Sequence, residues 1–144
     1  KVFDNKNLSG MSSTHSANPV ACAAGLATIK IIKKQNLIKN SFVKGKILKN
    51  GLKNLQNKFP KLIFGTYGNG LIASIIFKHY KHVPSKNLAD HVSQKCLKEG
   101  LLVCNTGRES VKIGPPLSIN RTNILRGLKI IEKALTGVNN EISK

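Results

Sequence analysis

Hydroxyl side chains crowd one stretch of this chain, Ser12-Ser13-Thr14-His15-Ser16, directly ahead of Asn18-Pro19. Asn is a favoured N-cap and Pro a favoured first helical residue, because its missing N–H would have no intrahelical partner there. Hydroxyls and backbone N–H groups therefore converge on the positive end of a helix dipole, which suits a phosphate-sized anion. The same composition also suits a plain turn in which Ser13, Thr14 and Ser16 only cap the backbone. Residue types alone leave both readings open.

Other chemistry-bearing residues are less well placed. His79-x-x-His82 with Tyr80 has metal-ligand spacing but no third ligand, so a surface loop is expected and no metal site. His91 falls mid-helix, at the surface or its boundary, and His15 is expected to shape its loop. Gly65-x-x-Gly68-x-Gly70 leads into a strand instead of a helix, which is not the dinucleotide-binding context. Cys22, Cys96 and Cys104 are odd in number and lack C-x-x-C spacing. They indicate neither a disulfide frame nor zinc, and a reducing cytoplasm is the expected compartment.

The elements that must position these groups follow from periodicity. A helix from Asn18-Pro19 to about Gln35 begins with Ala21, Cys22, Ala23, Ala24, Gly25 and Ala27, small enough for another backbone to approach, so burial by close packing is predicted. A second helix is predicted over Leu37 to Lys58. Leu48, Leu52, Leu55 and Phe59 share one face, Lys46, Lys49 and Lys53 form a solvated face, and Pro60 ends it. Leu62 to Phe64 and Leu71 to Phe77 read as strands around Gly65-Thr66-Tyr67-Gly68-Asn69-Gly70. A helix from about Asn87 to Lys98 stops at Gly100. Leu101 to Cys104 and Val111 to Ile113 then form a hairpin through Asn105-Thr106-Gly107-Arg108. The last helix starts near Asn120 to Asn123 with Ile124, Leu128, Ile131 and Leu135 on one stripe, and its polar tail from Thr136 is expected to fray. The class is α+β: a short mixed or antiparallel sheet covered by helices and preceded by a long helix.

Composition bounds the function. The 144 residues carry 24 Lys plus Arg against 6 Asp plus Glu, a formal charge of +18. A small basic nucleic-acid-binding module is therefore one alternative. Against it, only Arg108, Arg121 and Arg126 are arginines, the lysines are dispersed among Asn and Ile, and aromatics make up 5%. The longest apolar run, Leu71 to Phe77, is far below the ~20 residues of a membrane span, so no membrane crossing is expected. The opening Lys-Val-Phe-Asp has neither an initiator Met nor a signal pattern, and truncation is the expectation.

The run Ser12-Ser13-Thr14-His15-Ser16-Ala17-Asn18-Pro19-Val20-Ala21-Cys22-Ala23-Ala24 resembles the segment that opens the C-terminal part of class III aminotransferases. Three further segments agree, in that family's order. Gly68-Asn69-Gly70-Leu71-Ile72 resembles its Gly-Arg-Gly-Leu, and Lys98-Glu99-Gly100-Leu101-Leu102 its Arg-Gly-Leu-Leu. Lys112-Ile113-Gly114-Pro115-Pro116-Leu117-Ser118-Ile119 resembles its Arg-x-x-Pro-Pro-Leu-x-Ile.

The resemblance implies the small C-terminal domain of the aspartate-aminotransferase fold, with residues 1–35 ending the large-domain segment and linking helix and 36–144 forming the small domain. It implies pyridoxal 5'-phosphate as cofactor, a homodimer, and transfer between an amino donor and a 2-oxo acid; an aminomutase or decarboxylase shares the pattern. Thr14, helped by Ser13, would reach the cofactor phosphate of the partner subunit. The family Arg that helps handle a substrate carboxylate or pairs with an acidic residue stands at Lys112, whose ammonium lacks a bidentate fork. Arg108 could compensate, or be a turn residue paired with Glu109. The catalytic Lys that forms a Schiff base lies in the family some thirty residues before the Ser-Thr-His motif. Lys1 and Lys6 have the wrong neighbours and distance, so no catalytic residue is expected in this chain, which should not transaminate alone. A dimerisation fragment that has lost catalysis is the remaining alternative.

Overall fold

A computed structural model of the chain describes residues 17–143. The chain divides into two compact units, Lys1–Asn36 and Leu37–Lys144. In the first, α1 spans Pro19–Lys34, with Pro at its start and Asn18 as its cap. None of its residues is buried, so the predicted burial is corrected. A Cβ at Gly25 would meet nothing within 4 Å.

The second unit runs α2 (Leu37–Lys58), β1 (Ile63–Asn69), β2 (Ile72–Phe77), α3 (Ser85–Lys98), β3 (Cys104–Asn105), β4 (Ser110–Ile113) and α4 (Arg121–Ser143). The sheet is antiparallel throughout, in the order β1-β2-β4-β3. Because side chains alternate across a strand, Ala73, Ile75 and Phe77 of β2 and Val111 and Ile113 of β4 all reach one face. There they join Leu48, Leu52 and Leu55 of α2, Leu88, Val92 and Cys96 of α3, and the α4 stripe in a single core. α2 and α3 lie against the sheet, and α4 packs on those two helices. The helices thus cover one face only.

Local chemistry explains the departures from prediction. β1 continues through Gly65 to Asn69, where turn composition suggests a loop. Gly65 leaves room for the Tyr67 ring, 2.7 Å from where a Cβ would sit, and pairing with β2 overrides the local preference. Gly70, at φ +56°, makes the turn and donates its N–H to Asn69 Oδ1 at 3.0 Å. The strand predicted from Leu101 begins only at Cys104, because Leu101 is used to close α3. Gly100 is left-handed (φ +80°), Leu101 N donates to Cys96 O at 2.8 Å and Gly100 N to Leu97 O at 3.0 Å, a Schellman closure. The tail of α4 does not fray from Thr136. Val138 and Ile142 extend the stripe of Ile131 and Leu135 and are buried, and Lys81 Nζ donates to the Ile142 carbonyl at 3.0 Å.

Candidate functional site

Thr14 and Ser13 lie outside the described residues, and the described part of the site begins at the cap of α1. Asn18 Oδ1 accepts from Val20 N at 2.9 Å and Ala21 N at 3.3 Å, Cys22 N donates to Asn18 O, and Pro19 has no N–H. The first-turn amides of α1 are therefore spoken for, and the hydroxyl run expected to converge there lies outside the described residues. What the helix still offers is the positive end of a 16-residue dipole, with no acidic residue in its first turn to neutralise it. That end favours a negative charge.

Lys112 stands on β4 and is exposed, on the sheet face away from the core. It is the one charged residue in the four strands. Its register partners are Ser74 on β2 and Cys104 on β3, and Ser74 in turn pairs with Tyr67 on β1. Register partners share a face, so phenol, hydroxyl, ammonium and thiol form one row across all four strands. No acidic residue belongs to it. The ion pairs among the described residues, Lys58–Glu132, Lys95–Glu141 and Lys133–Glu99, all involve helices or helix ends and leave Lys112 out.

Arg108 sits exposed in the turn between β3 and β4, and the ion pairs among the described residues do not join it to Glu109. The turn itself is tightly held. Asn105 donates from Nδ2 to Asp90 Oδ1 on α3 and accepts from Gly107 N at 2.8 Å. Thr106 and Ser110 share a hydroxyl contact at 2.8 Å, and Glu109 O receives the Phe77 amide at 2.7 Å. Arg108 and Lys112 are thus carried by one hairpin, the first on its turn and the second on its strand.

Periodicity could not reveal Tyr67, Ser74 and Cys104 as neighbours of Lys112, since that row depends on β2 pairing with β4 across α3. His79, His82 and His91 are exposed, and no metal-ligating cluster occurs among the described residues. Cys96 is fully buried in the core, and burial pushes its thiol up to about 11, so it is inert. The hydrogen bond from Lys95 holds the Glu141 carboxyl below its ordinary value. No helix among the described residues is long and apolar enough to cross a membrane.

Comparison with known proteins gives the family. The family model described as aminotransferase class-III matches residues 1–135. An acetylornithine aminotransferase of Prochlorococcus marinus is 32% identical over 128 residues, 89% of this chain and 30% of that protein. A putrescine aminotransferase of Pectobacterium atrosepticum is 31% identical over 140 residues, 96% of this chain and 28% of that protein. The crystal structure of acetylornithine aminotransferase from Elizabethkingia anophelis superposes with a TM-score of 0.79 at 26% identity, covering 88% of this chain and 30% of that one. The chain therefore spans about three-tenths of the length of the relatives it matches. By sequence over nearly its whole length and by fold, it belongs to the class-III aminotransferase family.

Proposed function

We propose that this chain is the C-terminal portion of a pyridoxal-phosphate-dependent transaminase, acting in the cytoplasm as a homodimer on an amino donor and a 2-oxo acid. Residues 1–35 end the large-domain segment and the linking helix, and 36–144 form the small domain. The observation that carries this reading is the family match over residues 1–135, which includes the hydroxyl run ahead of α1. When bound, pyridoxal phosphate supplies the electron sink for moving an amino group between carbon skeletons. Its reacting lysine lies outside these residues.

In this reading Thr14, with Ser13, donates hydroxyl hydrogen bonds to the cofactor phosphate held by the partner subunit. The positive end of α1 adds its dipole, while Asn18 keeps the helix closed. Lys112 offers a substrate carboxylate a single point charge, and Arg108 on the adjoining turn adds the planar fork that an ammonium lacks. The open row around Lys112 supplies no competing carboxylate. Replacing Thr14 by Val in the polypeptide that carries the reacting lysine should lower cofactor retention through dialysis, read by the cofactor's absorbance. Retention equal to the parent removes Thr14 from the phosphate contact.

A further inference from the structure

Beside the Lys112 row, whose Tyr67 also borders it, α2 and the β1–β2 turn enclose a cleft of about 230 Å³. Leu52 and Ala73, both buried, form its floor; Phe42, Lys46 and Lys49 of α2 stand along one side and Thr66 of β1 on the other. Phe42 is 61% exposed although it is a large apolar residue. The Lys46 ammonium sits 4.4 Å from the centroid of its ring, which keeps a positive charge at the rim. Lys46 and Lys49 take part in none of the ion pairs among the described residues, and no acidic residue lines the cleft.

Charge complementarity fixes the sign of the occupant, and the lining fixes its body. Two lysines without carboxylates select an anion, whereas the leucine and alanine floor and the Phe42 ring select an apolar, flat group. The volume holds roughly eight waters and lies below the ~300 Å³ at which pockets for drug-sized ligands begin, so one ring fits and two do not. We propose that this cleft binds a monocyclic aromatic compound bearing one anionic group, the ring against Phe42 and Leu52 and the anion between Lys46 and Lys49. This site uses none of Ser13, Thr14, Arg108 and Lys112, and of the row around Lys112 it shares only Tyr67.

The test is a titration of phenyl phosphate into the full, isotopically labelled chain, followed by the amide resonances of Gly45, Gly68 and Gly70, which border the cleft. Saturable shifts centred on those amides are expected. Inorganic phosphate, lacking the ring, and benzyl alcohol, lacking the charge, should each bind at least about tenfold more weakly. Lys46→Gln combined with Lys49→Gln should weaken phenyl phosphate by a similar factor, while Lys53→Gln, outside the cleft on the same helix, leaves it unchanged. Binding should also fall as salt screens the two ammonium groups. Shifts spread over the lysine-rich surface, equal affinity for inorganic phosphate, or undiminished affinity in the double variant would each overturn the proposal.

Discussion

Replacing Gly45 by Ala reverses the usual rule for helices. Gly45 lies inside α2, where Ala normally stabilises by about 1 kcal/mol through propensity alone. Here a Cβ would stand 2.4 Å from the carbonyl oxygen of Gly70 and 2.5 Å from its carbonyl carbon and Cα. All three are backbone atoms and cannot rotate away. Restoring ordinary contact requires α2 and the β1–β2 turn to separate by about 1 Å, and a gap of that size forfeits a quarter to a half of each dispersion well it opens. Leu48, Leu52 and Leu55 ride on the same helix, so the loss belongs at the upper end of the 1–3 kcal/mol typical of overpacking. Setting about 3 kcal/mol against the propensity gain leaves roughly 2 kcal/mol of destabilisation. For a unit of this size, Tm should fall by about 10 °C. Thermal melting followed by circular dichroism reads this directly. Gly25→Ala is the control, since its Cβ meets nothing within 4 Å and should raise helix content. A Gly45→Ala melting point at or above the parent's would refute the close approach of helix and turn.

Two further perturbations report on other parts of the fold. Asn105→Ala removes both the bond to Asp90 and the acceptor for Gly107 N, at a cost of about 1–2 kcal/mol. Hydrogen exchange at Gly107 should quicken, and unchanged exchange would show that the turn carrying Arg108 is held by other contacts. Cys96 sets an alkaline limit. Burial raises its folded value from 9.0 to about 11, so its contribution to stability is complete below the unfolded value and is lost as pH climbs toward the folded one. Urea unfolding between about pH 9 and 11 should therefore lose on the order of 1.4 kcal/mol per pH unit more in the parent than in Cys96→Ala. Equal slopes would contradict the burial.

Element boundaries are legible wherever a residue imposes its own backbone. Asn18-Pro19 opens α1, Pro60 lies just past the end of α2, and Gly100 closes α3 because only the left-handed conformation completes that cap. Elements set by pairing are not legible in this way. The residues Gly65 to Asn69 have turn composition, yet β2 recruits them as strand. The polar residues after Thr136 hide Val138 and Ile142, two more steps of the buried stripe. The expected burial of α1 rests on small side chains, which permit close packing without supplying a partner. The family motifs expose Lys112 and Arg108, but the neighbours of Lys112 come from a register joining strands on either side of α3. The lysines of α2 look like an ordinary solvated face, because only the folded hairpin turns Lys46 and Lys49 into the wall of a cleft.

The two margins of the sheet differ from its centre in a way that bears on self-association. Unpaired strand margins template aggregation when they are long and flat. β3 offers only Cys104 and Asn105, and β1 has an irregular register between Ile63 and Gly65 that breaks the run of its outward hydrogen-bonding groups. Neither margin gives a straight ladder for another molecule to extend. The apolar side chains exposed on the outer sheet face, Phe64 and Ile72, are thus flanked by margins that do not themselves invite strand-to-strand extension.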